Sequence, residues 1–220
     1  MFDLDGVIVD SEPLHAEALA SVCGTHGVPF DGPRFVGWSD ASAMRKAFDE
    51  AGKVASEAQF AELLDRKNRR LLDSLRNGRI RPYPGVVHLV RALCAARVPL
   101  AVCSAALRRE IEPTLETLGL TDSFQVIVGC EDAPRTKPHP DPYLLAAERL
   151  GAAPARSIAI EDSPHGVASA KDAGFTVFAL GHTTPPERLA RADQWRPTIA
   201  ALAPDLIAIA ERSQSTVGRP

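Results

Sequence analysis

The sequence predicts a doubly wound α/β fold interrupted by an inserted α-helical domain, and three observations carry that prediction. From about residue 98 onward, short apolar runs alternate with amphipathic stretches, the pattern of β-α units feeding a parallel sheet. Another strand candidate opens the chain at Phe2 to Val9, with two aspartates in its middle. Between these, residues 12–80 contain no strand-like run and repeat apolar residues at helical spacing instead.

The first strand is short on its N-terminal side, because a central strand normally brings several apolar residues before its functional end; residues before Met1 are expected to complete it. In the insert, Leu14, Ala18, Leu19 and Val22 trace one helical face, and Phe60, Leu63, Leu64, Leu71 and Leu72 trace another. Its hinges are Asp10-Ser11-Glu12-Pro13 on one side and Asn77-Gly78 through Pro82-Tyr83-Pro84-Gly85 on the other. The expected division is therefore a Rossmann-like core from 1–11 and 81–212, a helical domain from 12–80, and a flexible tail from 213–220. The later strands are Val98 to Cys103, Phe124 to Val128, Ser157 to Ile160 and Thr176 to Leu180. Gly119 and Gly174 stand where helices should end, and Asp141-Pro142 and Ser163-Pro164 read as an N-cap followed by proline at the first helical position.

A chain of 220 residues with 45% hydrophobic content can bury the core of one domain plus a smaller insert. Its net charge of -3 excludes the global basic field that holds a protein on nucleic acid or anionic lipid. No apolar run reaches transmembrane length, and the acidic start is unlike a signal peptide, so a cytoplasmic protein is expected; with neither heptads nor an apolar patch to read, a monomer is the default. Cys23, Cys94, Cys103 and Cys130 are scattered, without metal-ligand spacing, and read as buried thiols in a reducing compartment.

Four signals fall at the C-terminal ends of the predicted strands, where open α/β sheets place their sites. Asp3-Leu4-Asp5-Gly6 spaces two carboxylates by two residues, so that on a strand both face one crevice. One can stay ionised as nucleophile and metal ligand while the other serves as acid and then base. Ser104-Ala105 follows an apolar strand and offers a hydroxyl and backbone N–H groups to an anion; a helix-capping serine is the competing reading. Lys137 is fixed in a loop with Pro138, Pro140 and Pro142, which restrict the backbone that holds its ammonium. Glu161-Asp162 adds adjacent carboxylates after another strand. Three converging acidic strand ends repel one another unless a divalent cation neutralises them, and an all-oxygen ligand set suits Mg²⁺.

In this order and spacing, Asp3-x-Asp5-Gly6-Val7, Ser104, Lys137 and Glu161-Asp162 resemble the four motifs of the haloacid dehalogenase superfamily, in which the helical insert is a cap. The resemblance implies that Asp3 attacks phosphorus and becomes an aspartyl-phosphate, and that Asp5 protonates the leaving alcohol and later activates water. It implies Mg²⁺ on the Asp3 carboxylate, the Asp5 carbonyl and the Asp162 carboxylate, with Glu161 acting through water. Ser104 and Lys137 would hold the phosphoryl oxygens. Asp5 speaks against dehalogenase chemistry, which in this superfamily lacks the second aspartate.

The stretch Asp10-Ser11-Glu12-Pro13-Leu14-His15 is similar to the branch containing sugar phosphatases and β-phosphoglucomutase, where a histidine at the position of His15 positions the acid-base aspartate. That mutase carries a lysine and an arginine in a cap loop where this chain has Val36 and Asp40, so hydrolysis of a small sugar or polyol phosphate is expected rather than mutase action. Candidate substrate contacts in the cap are His15, Trp38 and Arg45, with Lys46 beside them. Each has a plainer alternative: a helix-surface histidine, a plug in the cap-core seam, or solvated helix cations. His139 and His165 lack ligand spacing and read as loop residues. The basic stretch Arg66-Lys67-Asn68-Arg69-Arg70 admits a binding module on a retired enzyme fold, but the interleaved leucines make it one solvated face of a helix.

Overall fold

The computed structural model describes residues 1–35 and 39–217, and the chain divides into two compact units, Met1–Asp10 with Arg81–Pro220 and Ser11–Ile80. Trp38 and Val36 lie outside the described residues. In the first unit, β3 (Ala101–Cys103) pairs in parallel with β4 (Val126–Val128), and β5 (Ile158–Glu161), β6 (Thr176–Leu180) and β7 (Gln194–Arg196) pair in parallel in that order. Phe2 joins the two sets, bridged in parallel to Val102 on one side and Ile160 on the other. The chain thus starts at the centre of the sheet and builds outward both ways, which makes the C-terminal end of the Phe2 line the switch point of the topology.

The opening does not continue as a strand to Val9. Beyond Asp3 the backbone folds back on itself: the N–H groups of Ile8 and Val9 both donate to Leu4 O, at 2.8 and 3.0 Å, and Gly6 N donates to Val9 O at 2.9 Å. Gly6 takes φ +78°, a conformation that a residue with a Cβ adopts only at a cost. Val9–Asp10 then forms a short strand, β1, antiparallel to β2 (Arg81–Pro82). The run from Val98 becomes a strand only at Ala101, because proline at 99 lacks the N–H a ladder needs. The run from Phe124 becomes a strand only at Val126, with Gln125 N already on Leu100 O at 3.0 Å, while Thr121–Ser123 forms a 3₁₀ turn.

Helices α4 (Val86–Ala95), α5 (Arg108–Thr117), α6 (Asp141–Leu150), α7 (Pro164–Asp172) and α8 (Ile199–Val217) complete this unit. Ala101, Cys103, Ala159, Val177 and Ala179 meet Tyr143, Ala146 and Ala147 of α6 and Val167 and Ala170 of α7 in one core cluster. Strand alternation sends Val102, Ile160 and Phe178 to the opposite face. Helices α4 and α8 pack on each other, and neither contributes to the α6–α7 cluster. Ser163 caps α7 by accepting from Gly166 N at 3.0 Å, with Pro164 at the first helical position. Asp141 is not the cap of α6: it lies inside the first turn, its carboxylate held by Arg135 through two contacts of 2.8 Å. The tail expected from residue 213 gives way to helix through Val217, because α8 keeps its ladder to that point.

In the second unit, α1 (Glu12–Gly24), α2 (Asp40–Glu50) and α3 (Glu57–Arg76) enclose Leu19, Val22, Met44, Phe48, Phe60 and Leu63. Ser39 caps α2, and Ser56 with Gln59 forms a capping box at the start of α3. Among the described residues no helix is long and apolar enough to cross a membrane.

Candidate active site

Asp3, Glu161 and Asp162 are buried, and each offers a carboxylate oxygen within 4.8 Å of the others. The sheet sets this convergence: Asp3 ends the Phe2 line, its N–H bonded to Ile160 O at 3.0 Å, and Glu161 is the last residue of the neighbouring β5. Lys137 reaches in from the loop before α6. Its Nζ donates to Glu161 Oε1 at 2.5 Å and to Cys103 O at 2.8 Å, and lies 3.1 Å from Asp3 Oδ1. Two strand ends, at Cys103 and Glu161, thus accept hydrogens from the ammonium, and a third, at Asp3, pairs with its charge.

Glu161 is the hub of the cluster. Its Oε1 also accepts from the buried Tyr143 hydroxyl at 2.7 Å, and its Oε2 receives the Asp162 N–H at 3.3 Å and the Ser163 hydroxyl at 3.4 Å. Gly166 stands against this carboxylate so closely that an added Cβ would lie 2.0 Å from its Oε2. Asp162 accepts from the Thr183 hydroxyl on its Oδ2. Ser104 directly follows β3, its N–H on Val128 O at 3.0 Å; its Oγ accepts from Ala106 N at 3.0 Å, a bond that leaves the hydroxyl proton free to be donated. Ala105 beside it is exposed.

Burial pushes the Asp3 carboxyl well above its ordinary value; Lys137 opposes this, and Glu161, Asp162 and Asp5 add to it. Burial and the Glu161 charge lift Asp162 to about 7, against the bond from Thr183. Burial by itself would lower the Lys137 ammonium, but the Asp3 and Glu161 carboxylates outweigh it and hold the group charged, above its ordinary value. Three carboxylates against one ammonium leave a net negative, all-oxygen donor set that a hard divalent cation such as Mg²⁺ fits. Asp5 stands beside them, close enough for its charge to raise both Asp3 and Asp162.

His182 was not singled out by sequence, yet it braces the loop that carries Asp5. Its Nδ1 donates to Gly6 O at 2.7 Å, its Nε2 accepts from Ile199 N at 3.1 Å, and its ring stacks on Tyr83 at 3.8 Å between centroids. Those two bonds require the neutral ring with the proton on Nδ1.

In the helical unit, His15 is part of a polar cluster rather than a free surface residue. Lys67, only 1% exposed, donates to His15 Nδ1 at 3.0 Å and pairs with Asp40. This corrects the reading of the basic stretch as a wholly solvated face: Lys67 lies on the buried face of α3 with Phe60, Leu63 and Leu71. The spacing 60, 63, 67, 71 was the available signal. Arg45, the other cap cation expected at the substrate, is paired on the surface of α2 with Glu57. Glu57 takes its guanidinium through bonds of 2.7 and 2.5 Å, and the guanidinium lies 4.6 Å from the Phe60 ring centre.

Comparison with known proteins agrees with this arrangement. Residues 1–180 match the family model described as haloacid dehalogenase-like hydrolase. The chain is 31% identical over 202 residues to validoxylamine A 7'-phosphate phosphatase of Streptomyces hygroscopicus subsp. limoneus, covering 88% of this chain and 90% of that protein. It is 32% identical over 194 residues to hexitol phosphatase A of Escherichia coli, covering 88% and 87%. Among solved structures, CbbY from Rhodobacter sphaeroides in complex with phosphate superimposes with a TM-score of 0.79 at 27% identity, over 91% of this chain and 94% of that one.

Proposed function

The chain belongs to the haloacid dehalogenase-like hydrolases, and from that premise we propose that it is a magnesium-dependent phosphatase acting on a small sugar or polyol phosphate through an aspartyl-phosphate. The observation that carries this reading is the buried meeting of Asp3, Glu161 and Asp162 with the Lys137 ammonium, 3.1 Å from the Asp3 carboxylate. A nucleophilic oxygen beside a fixed cation is what transfer of a phosphoryl group requires, since catalysis there rests on positioning and on neutralising oxygens.

Asp3 attacks phosphorus with a carboxylate oxygen while the ester oxygen leaves opposite and takes a proton from Asp5. Asp5, now a carboxylate, accepts a proton from a water that attacks the aspartyl-phosphate; the phosphorus–oxygen bond to Asp3 breaks, and phosphate is released. Lys137, held by Glu161 and the Cys103 carbonyl, stays charged beside the equatorial oxygens. Ser104 donates its hydroxyl proton to one of them. Mg²⁺ would be held by the Asp3 and Asp162 carboxylates and the Asp5 carbonyl, supplying positive charge against the crowded carboxylates and the phosphoryl group. Glu161 serves chiefly to fix Lys137 and Tyr143.

Hydrolysis is favoured over mutase action by Asp40, an acid engaged with Lys67 at a position where the mutase sequences have a cation. The test is phosphate release from a panel of sugar, polyol, nucleotide and two-carbon phosphates, with Mg²⁺ and with EDTA, beside an Asp3→Asn control. Metal-dependent release by the wild type alone is expected. Release that survives EDTA, or full turnover by Asp3→Asn, would end the proposal.

A further inference from the structure

The loop after β6 sends two side chains to the acidic cluster, and they serve different acids. Thr183 donates its hydroxyl to Asp162 Oδ2, and His182, one residue earlier, donates from Nδ1 to Gly6 O at 2.7 Å. Gly6 directly follows Asp5, so the imidazole acts on the backbone that presents the second aspartate of the opening pair. The ring itself is tied to fixed structure. Its Nε2 takes the N–H of Ile199, the first residue of α8 and one of the donors that a helix start leaves without an internal partner. Its face lies on Tyr83 at an interplanar angle of 16°, and Tyr83 N is bonded in turn to Ile8 O at 3.0 Å.

Gly6 is thereby held on both sides, its N–H on Val9 O at 2.9 Å and its carbonyl on His182. A glycine at φ +78° has no side chain to restrict its backbone, and the bond from His182 removes the freedom that the missing Cβ leaves. The path from the start of α8 through the imidazole to the Asp5–Gly6 turn is three residues long and lies wholly within the first unit.

We propose that His182 is a positioning residue for proton transfer: by holding the Gly6 carbonyl it keeps the Asp5 carboxyl at the ester oxygen that leaves, a role that rests on the aspartyl-phosphate reading above. As the phosphorus–oxygen bond to the alcohol breaks, the Asp5 proton passes to that oxygen, so the carboxyl must stay within hydrogen-bond reach of it. A misplacement of about 1 Å can cost on the order of 100-fold in such a step. How much the step matters depends on the leaving group. The alkoxide of a sugar or polyol needs the proton, whereas 4-nitrophenolate leaves readily without it. Because kcat/KM covers only the steps up to departure of the leaving group, comparing it between the two esters isolates the work of Asp5.

Two substitutions separate the two bonds of the ring. His182→Asn sets an amide N–H near the place of Nδ1 and keeps the donor to Gly6 O; His182→Gln sets its amide oxygen near the place of Nε2 and keeps the acceptor for Ile199 N. Both are assayed with saturating Mg²⁺ on 4-nitrophenyl phosphate and on the sugar or polyol phosphate that the wild type turns over best. His182→Gln should lose about 30-fold in kcat/KM on the sugar or polyol phosphate and less than about threefold on the nitrophenyl ester, with His182→Asn recovering most of the loss. Thr183→Val, which loosens Asp162 instead, should lower both esters alike. Losses in the His182 variants that match on the two esters would overturn the proposal, as would a His182→Gln that outperforms His182→Asn or leaves the sugar or polyol phosphate unaffected. Full turnover by Asp3→Asn, or a wild type that hydrolyses neither ester, would instead bring down the phosphatase reading, and this role with it.

Discussion

Gly6→Ala tests whether the Asp162 carboxylate depends on the absence of a side chain. A Cβ at Gly6 would fall 1.9 Å from Asp162 Oδ2 and 2.4 Å from its Cγ, on a backbone at φ +78°. The left-handed conformation by itself costs a residue with a Cβ about 1–2 kcal/mol. Gly151→Ala isolates that cost, because its φ is +63° and an added Cβ meets nothing within 4 Å. The remainder at Gly6 comes from driving a buried carboxylate off the Thr183 hydroxyl, a hydrogen bond to a charged group that contributes about 1.5–3 kcal/mol. Gly6→Ala should therefore lose about 2.5–5 kcal/mol, against about 1–2 for Gly151→Ala. At about 2–4 °C per kcal/mol for a chain of this size, the two variants should differ by about 3–12 °C in Tm. Calorimetric melts at pH 8 in metal-free buffer measure this, and a Mg²⁺ titration of the same samples should find weaker binding in Gly6→Ala alone. Two variants that melt together and bind Mg²⁺ alike would refute the reasoning.

Tyr143→Phe removes one of the two strong donors to Glu161 Oε1 and leaves Lys137 less firmly held; a loss of about 1.5–3 kcal/mol in denaturant unfolding and a kcat lowered about tenfold are expected, and an unchanged kcat would separate Tyr143 from catalysis. Asp40→Ala strands the buried Lys67 ammonium and should cost about 3 kcal/mol. Burial alone would raise the Asp40 carboxyl, but His15 and Lys67 beside it hold it at about 2, below its usual 3.8. The contribution of that depressed carboxyl is complete above pH 3.8 and lost as pH falls through about 2, so acid titration of stability should differ between wild type and Asp40→Ala in that window. Burial also lowers the His182 imidazole below 6.5 despite the Gly6 carbonyl. Its neutral form is the folded one, its stabilisation is present above pH 6.5 and lost as pH falls through the folded value, and His182→Gln should flatten the stability profile there as read by denaturant midpoints.

Asp3, Ser104, Lys137 and Asp162 were legible in the sequence because each follows an apolar run or sits among prolines, and a parallel sheet gathers such ends at one edge. The supporting residues were not, because their partners are remote along the chain: His182 meets Gly6 176 residues away, Thr183 meets Asp162 across 21, and Tyr143 meets Glu161 across 18. The expected strand from Phe2 to Val9 failed at Leu4, whose carbonyl collects the following N–H groups into a turn. Strand β7 escaped notice because Gln194, Trp195 and Arg196 form a largely exposed edge without apolar alternation. Lys67 was read by its chemistry when its position in the apolar stripe of α3 was the better guide.

The three-way anchorage of Lys137 has a consequence for chemical labelling. Amine-reactive reagents need an exposed, deprotonated nitrogen, and this one is buried, bonded to Cys103 O and Glu161, paired with Asp3 and held in its charged form. Lys46, with its side chain half exposed, should react early, and Lys171, held on the Asp193 carboxylate, later. Lys137 should acquire an acetyl group only in molecules whose central strands have parted, so the fraction modified there, read by peptide mass, would count openings of the site that leave no trace in a bulk spectrum.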